Sequence, residues 1–166
     1  IARGRQGKHN IWIDAPCTIN ADGTGLTLHS TSIGGHPEWA DGNRIIGEYK
    51  GRQAIYDVSE KRILTNKYIG DETSLPKPGG DVSLSPDGNW FANGHSSDDR
   101  QTNVFTILDL KDGSYARSET FDRGPYVKGD LRIDPSPRWN RENNEILVPG
   151  WTEEGSRQLF IIKVTD

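Results

Sequence analysis

One unit, written three times, constrains this chain more than any other feature: a short strand, a tight polar turn and a second strand. It runs GGHPEWADGNRIIG at 34–47, GGDVSLSPDGNWFANG at 79–94 and DPSPRWNRENNEILVPG at 134–150. Anchored on Trp39, Leu84 and Trp139, the copies stand 45 and 55 residues apart. The turn is the constant element. In the middle copy Ser85-Pro86-Asp87-Gly88 supplies it, because Pro presets φ and Asp-Gly suits a chain reversal. The first copy shortens it to Ala40-Asp41-Gly42, and the third keeps a polar run over 140–144. Asp41 and Asp87 therefore read as turn formers rather than acids.

β-Branched and aromatic runs at 53–58, 103–108 and 158–164 read as third strands, and 63–69 and 115–121 as fourth strands of the first two units. No segment sustains a helical period, so the fold class is all-β. The periods suit four-stranded propeller blades with enlarged loops. The chain divides into an incomplete blade at 1–33, blades at 34–78 and 79–131, and a last blade at 132–166 that lacks its outer strand. About three blades is fewer than the roughly four to eight that close a ring, so the reading is a partial β-propeller. First strands are predicted at 37–40, 82–85 and 137–140, with Trp39, Leu84 and Trp139 buried. Residues 1–5, 9–18 and 24–30 read as the second, third and fourth strands of the opening blade. The chain begins at Ile1 and contains no Met, so an N-terminal part is expected upstream; its blades, or another chain, would be needed to close the ring and cover the open sheet edges.

Charge and cysteine content narrow the partners. With 20 Lys+Arg against 24 Asp+Glu, the net charge of −4 argues against a nucleic-acid partner. No apolar run approaches the roughly 18 to 20 residues of a membrane-spanning helix, so no membrane partner is expected. Cys17 is the sole cysteine, which excludes an internal disulfide and a Cys-based metal site. Ser83, Ser85 and Ser136 have no nucleophile-elbow context, and Gly79-Gly80 leads into a strand rather than a phosphate-binding helix.

The unit "PxWSPDG, strand, GxxxIY, strand" resembles that of TolB-like (WD40-like) propeller repeats, from Gly34 to the end. A narrower resemblance rests on Gly35-His36-Pro37, on VSLSPDGNWFANGH at 82–95, and on DPSPRW at 134–139 with Arg157-Gln158-Leu159-Phe160 after it. These are similar to the C-terminal half of the oligogalacturonate lyases, a family of seven-bladed propellers. That resemblance implies a pectin-degrading β-elimination, with a histidine base near the start of one innermost strand and a divalent cation bound by histidines at the next two. Matched by strand start, the base falls on His36, and the cation positions fall on Asp81 and on Asp134 or Ser136. The sequence departs from the family there: carboxylates suit a hard cation such as Mn²⁺ or Ca²⁺, without the imidazole preference for softer metals.

Read without the family, the same residues give a compatible site. Innermost strands of a propeller start near one channel mouth, so His36, Asp81 and Asp134 are predicted to line one rim. The long connections at 68–80 and 122–131 bring Lys77, Arg123, Tyr126 and Lys128 above it. A uronide β-elimination needs a base for the C5 proton, which His36 fits, and a clamp for the carboxylate, which Arg132 and Arg138 fit. Arg123, Lys128, Tyr126, Lys77 and Trp151 are the candidate substrate-binding residues, Trp151 as an exposed stacking platform. His36 also reads as a histidine that only hydrogen-bonds a neighbouring strand, and His29 and His95 read as structural or solvated. Two functions stay open: a lyase acting on acidic oligosaccharides, or a non-catalytic propeller that binds protein or glycan at its channel mouth.

Overall fold

The structure, a computed structural model, describes residues 2–6, 9–13, 16–30 and 33–164. The extreme positions Ile1 and Asp166, from which the first strand and the end of the last unit were counted, lie outside the described residues. All regular structure among the described residues is β. In chain order the strands are β1 (Ala2–Gln6), β2 (His9–Ile13), β3 (Cys17–Thr18), β4 (Thr27–Leu28), β5 (Gly34–Trp39), β6 (Arg44–Tyr49), β7 (Arg52–Asp57) and β8 (Arg62–Ile69). Then come β9 (Asp81–Leu84), β10 (Trp90–Ser96), β11 (Thr102–Asp109), β12 (Tyr115–Arg117), β13 (Phe121–Asp122), β14 (Arg138–Trp139), β15 (Glu145–Trp151) and β16 (Arg157–Lys163).

The three copies of the unit fold alike. Strands β5 to β8 form one antiparallel meander, β9 to β13 a second and β14 to β16 a third. The first two join through one parallel pairing, His36 opposite Asp81. β1 pairs with β2 and β3 with β4 as separate hairpins ahead of them. The fourth strand expected at 115–121 is split into β12 and β13, both paired to β11. The split falls at Ser118, whose hydroxyl accepts the Phe105 amide at 3.0 Å in place of regular pairing.

The turns close as their residues demand. Asp87 Oδ1 accepts the Ser85 hydroxyl at 2.6 Å and the Asn89 amide at 3.0 Å, the Ser85 hydroxyl accepts the Trp90 amide at 2.9 Å, and Gly88 takes φ 72°. In the third copy Asn140 Oδ1 accepts the amides of Asn144 and Glu145, and Asn143 adopts φ 62°. An amide side chain can stand in for Asp-Gly because Asn tolerates the left-handed region.

Register makes the repeat quantitative. The rows Trp39/Ile45/Tyr56, Leu84/Phe91/Leu108 and Trp139/Ile146/Ile162 are equivalent across the three sheets. So are Glu38/Ile46/Ile55, Ser83/Ala92/Ile107 and Arg138/Leu147/Ile161 on the opposite faces. One core packs Ile46, Ile55 and Ile69 of the first sheet on Leu84, Phe91 and Leu108 of the second. The next packs Ala92, Phe105 and Ile107 of the second on Trp139, Ile146, Val148 and Phe160 of the third. The second sheet therefore turns its first row toward the sheet before it and its second row toward the sheet after. Trp139 and Leu84 are half-buried in these layers, but Trp39 is 54% exposed, against expectation. On the same row, Tyr56 is covered by His29 and Ile33 of the N-terminal segment, and Ile45 is buried too.

Candidate functional site

The site grows from the point where the first two sheets touch. Gly35 adopts φ 69°, and a Cβ there would stand 3.3 Å from the Gly79 carbonyl oxygen, so two glycines let the backbones close on each other. A Cβ on Gly80 would meet the Gly94 carbonyl at 2.0 Å, which packs the start of β9 against the end of β10. On this frame His36 Nδ1 pairs with Asp81 Oδ1. Asp81 is buried, whereas the His36 side chain is 62% exposed. Ser136, just before β14, donates its hydroxyl to the other carboxylate oxygen of Asp81 at 2.8 Å. Three consecutive sheets thus contribute one residue each to a His36–Asp81–Ser136 chain. A carboxylate on Nδ1 fixes the tautomer that leaves Nε2 as the free lone pair, and Nε2 has no protein partner among the described residues.

Two cavities flank this chain and share His36 and Asp81. The first, about 400 Å³, is lined by His36, Lys77, Asp81, His95, Arg132 and Asp134. Arg132 Nε donates to Asp134 Oδ1 at 2.7 Å, and its Nη1 to the Gly129 carbonyl at 3.3 Å. Lys77 Nζ is engaged with Asp98 Oδ1 at 2.6 Å and the Ser96 carbonyl at 3.0 Å. The second cavity, about 370 Å³, is bordered by Gly35, His36, Glu38, Asp81, Ser136 and Arg138. There Arg138 Nη1 donates to the carbonyls of Pro137 at 2.9 Å and Val82 at 3.3 Å. Burial pushes the Glu38 carboxyl above the usual carboxylate range, while Arg138 and the Leu84 amide pull the other way.

The remaining candidates lie elsewhere. Arg123 is 3% exposed and beneath the rim: its guanidinium donates to the carbonyls of Ile133, Arg100 and Val127 and to the Ser96 hydroxyl. It pins the long connections together. Trp151 is half-buried, edge-on to Tyr126 with ring centroids 5.3 Å apart, and closes over the backbone of Gly124. Its face is spent on its own loop instead of standing open as a platform. Arg157 lies over the Tyr126 ring at 5.3 Å. Tyr126, Trp151 and the exposed Lys128 line neither cavity.

His95 is a residue the sequence reading left out of the site. It shares the cavity with His36, its Nδ1 is buried without a hydrogen-bond partner, and burial, helped by Lys77 and Arg117, lowers its pKa. Hairpin geometry is the signal that finds it: Gly94 pairs with Asp81, so the next residue must lie beside the start of β9. Sequence alone does not bring out Glu38, because the expected burial of Trp39 points its neighbour in β5 the other way.

The donors suit a bound cation poorly. Among the described residues no three His, Cys, Asp or Glu side chains converge as ligands. Asp81 spends one oxygen on His36 and the other on Ser136, and Asp134 holds Arg132. The expected Mn²⁺ or Ca²⁺ site at Asp81 and Asp134 is therefore a poor fit to these side chains.

No protein-family model matches the sequence, and neither does any curated protein. Among solved structures, an oligogalacturonate lyase in complex with manganese superposes with a TM-score of 0.64 at 17% identity, over 93% of this chain and 42% of that one. The oligogalacturonate lyase from Vibrio parahaemolyticus gives a TM-score of 0.64 at 17% identity, over 93% and 43%. The fold is propeller-like. The chain spans less than half the length of the lyases it matches, and identity this low speaks for the fold alone.

Proposed function

We propose that the chain is part of a seven-bladed propeller that acts on acidic oligosaccharides such as oligogalacturonides by β-elimination. In this reading residues 34–78, 79–131 and 132–166 are consecutive blades, with 1–33 in the blade before them. The observation that carries it is the exposed imidazole of His36, oriented through Nδ1 by a buried carboxylate that is itself fixed by Ser136. A base held by an orienting group is the arrangement proton abstraction requires.

His36 Nε2 takes the C5 proton of a uronide, the C4–O4 bond breaks, and the electron pair forms the C4=C5 double bond. O4 departs with a proton from solvent. Arg132, whose Nη2 has no hydrogen-bond partner among the described residues, on the first cavity and Arg138 on the second are placed to pair the substrate carboxylate as the intermediate gains enolate character. Lys77 is a weaker candidate because Asp98 already holds it. No step runs through a metal ion.

A second reading, a non-catalytic module that binds glycan or protein at the same mouth, is favoured by the commitment of Asp81 and Asp134 to protein partners. Incubation with oligogalacturonides separates the two. Growth of unsaturated-uronide absorbance that disappears in His36→Ala supports the lyase. Binding by calorimetry without that absorbance supports the module, and neither signal overturns both.

A further inference from the structure

Three carboxyl side chains line the two cavities beside His36: Asp81 on both, Asp134 on the first and Glu38 on the second. An elimination needs a group that takes a proton and a group that gives one, and a carboxyl serves as giver only where its oxygens are not already committed. Asp81 engages His36 and Ser136, and Asp134 engages Arg132. Glu38 differs from both. Its Oε2 accepts the Leu84 amide at 3.3 Å, while Oε1 has neither a hydrogen-bond partner nor an ion pair among the described residues. The side chain is half-buried, and that burial is what pushes its carboxyl up.

The local backbone sets Glu38 beside the base. Only Pro37 separates it from His36, which is roughly 6 to 7 Å of extended strand. The ladder between β5 and β6 changes register between Gly34 and Glu38, and irregularities of this kind re-aim side chains. Both side chains reach across to β9, His36 to Asp81 and Glu38 to the Leu84 amide. Arg138 of β14 borders the same cavity; the carbonyls of Pro137 and Val82 hold its Nη1, and its Nε and Nη2 have no partner among the described residues. A base, an uncommitted carboxyl and a cation with free donors therefore share about 370 Å³. The first cavity has no such carboxyl.

We propose that the elimination is seated in the second cavity and that Glu38 is the residue that hands the solvent-derived proton to the departing O4, an inference that rests on the lyase reading above. His36 Nε2 takes the C5 proton, the electron pair of that bond forms C4=C5, the C4–O4 bond breaks, and O4 leaves with the proton of Glu38. An imidazolium and a carboxylate remain. Exchange with solvent strips the first and reloads the second. Arg138 couples substrate binding to this step, because its charge opposes protonation of Glu38 while the cavity is empty. A uronide carboxylate paired to Arg138 cancels that charge and favours the protonated form of Glu38. An acidic sugar thus arms its own proton donor, and a neutral sugar does not.

Leaving-group chemistry separates a proton donor from a residue that only shapes the cavity. Two substrates are compared on the full-length protein: an oligogalacturonide, whose sugar O4 needs a proton to leave, and a 4-deoxy-4-fluoro-galacturonide, whose fluoride leaves with little help. Glu38→Gln keeps an acceptor for the Leu84 amide. It is expected to lower kcat on the oligogalacturonide by about 10²- to 10⁴-fold and fluoride release by less than about 10-fold. Retained fluoride release also shows that the variant is folded. His36→Ala, which removes the base, is expected to lower both rates alike. Equal losses on the two substrates in Glu38→Gln, or no loss on either, would overturn the donor role and leave the lyase reading in place. A parent protein that yields neither unsaturated uronide nor fluoride overturns the reading itself, and this inference with it.

Discussion

At the scale of single residues, the hydrogen-bonded chain from Ser136 through Asp81 to His36 joins an exposed ring to a buried carboxylate, and the proposed lyase reading gives the ring the proton and the carboxylate its orientation. Replacing His36 with Ala is expected to lower turnover of oligogalacturonides by about 10²- to 10⁴-fold with binding little changed. Asp81→Asn keeps the size of the side chain but loses the charge that holds the tautomer, and is expected to lower kcat by at least about 10²-fold at unchanged KM. Rates in the two variants equal to the parent's would remove the pair from the mechanism. His36 was legible in the sequence because a repeat predicts that equivalent strand starts meet. His95 was not, because it lies at the end of a second strand, and only the hairpin register carries it back beside Asp81. His29, which reads as structural or solvated, is structural. It follows a short strand in a polar stretch, yet it is 1% exposed, with Nδ1 2.9 Å from the Tyr56 hydroxyl and Nε2 2.9 Å from Thr18 Oγ1. Burial, with Lys61 nearby, lowers its pKa. Between the folded pKa and the free value of about 6.5 the unfolded chain binds more protons, so the stability contributed is complete above that free value and is lost as pH falls toward the folded pKa. His95 acts in the same direction. Urea midpoints are expected to fall from pH 7.5 to pH 5, with a smaller fall in His29→Asn; an unchanged midpoint in the parent would show that neither ring resists protonation.

At the scale of strands and turns, the glycines separate those that serve conformation from those that serve contact. Gly88 has φ 72° and open space around it, so Gly88→Ala costs the strain of a left-handed residue, about 1 kcal/mol. Gly80→Ala instead drives a methyl group into the Gly94 carbonyl at 2.0 Å, where backbone must move, and is expected to cost about 3 kcal/mol or more. Denaturant titration ranks the two, and equal losses would mean that the hairpin of β9 and β10 relaxes freely. Turn chemistry made the paired strands readable, because Asp-Gly between apolar runs has few alternatives. The fourth strand of the second unit was less readable: nothing local marks Ser118 as the residue that satisfies the Phe105 amide from its side chain and breaks the ladder. Trp39 shows the limit of arguing from equivalence alone. It occupies the same row as Leu84 and Trp139, but burial of a row depends on the sheet in front of it, which a residue's own neighbours in sequence do not encode.

At the scale of the whole molecule, order should follow how many of a sheet's faces are covered. The second sheet is packed on both: Phe91 and Leu108 meet the first sheet, Ala92, Phe105 and Ile107 meet the third, and all five are at most 6% exposed. Among the described residues the third sheet has one covered face, a bare row and an unflanked edge strand. Backbone amides exchange through local openings whose free energy rises with the apolar contact that must be broken. Opening β16 breaks contacts on one face only, through Phe160 and Ile162, whereas opening β10 or β11 breaks contacts on two. Amide exchange followed by mass spectrometry is therefore expected to be slowest in β10 and β11, intermediate in β6 and β7, and fastest among the long strands in β16. Leu147→Glu should leave this ranking intact, since the side chain is already partly in solvent, while Ala92→Glu should collapse protection in the second and third sheets together. Protection in β16 equal to that in β11 would mean that its outward face, Leu147, Leu159 and Ile161, is covered in solution.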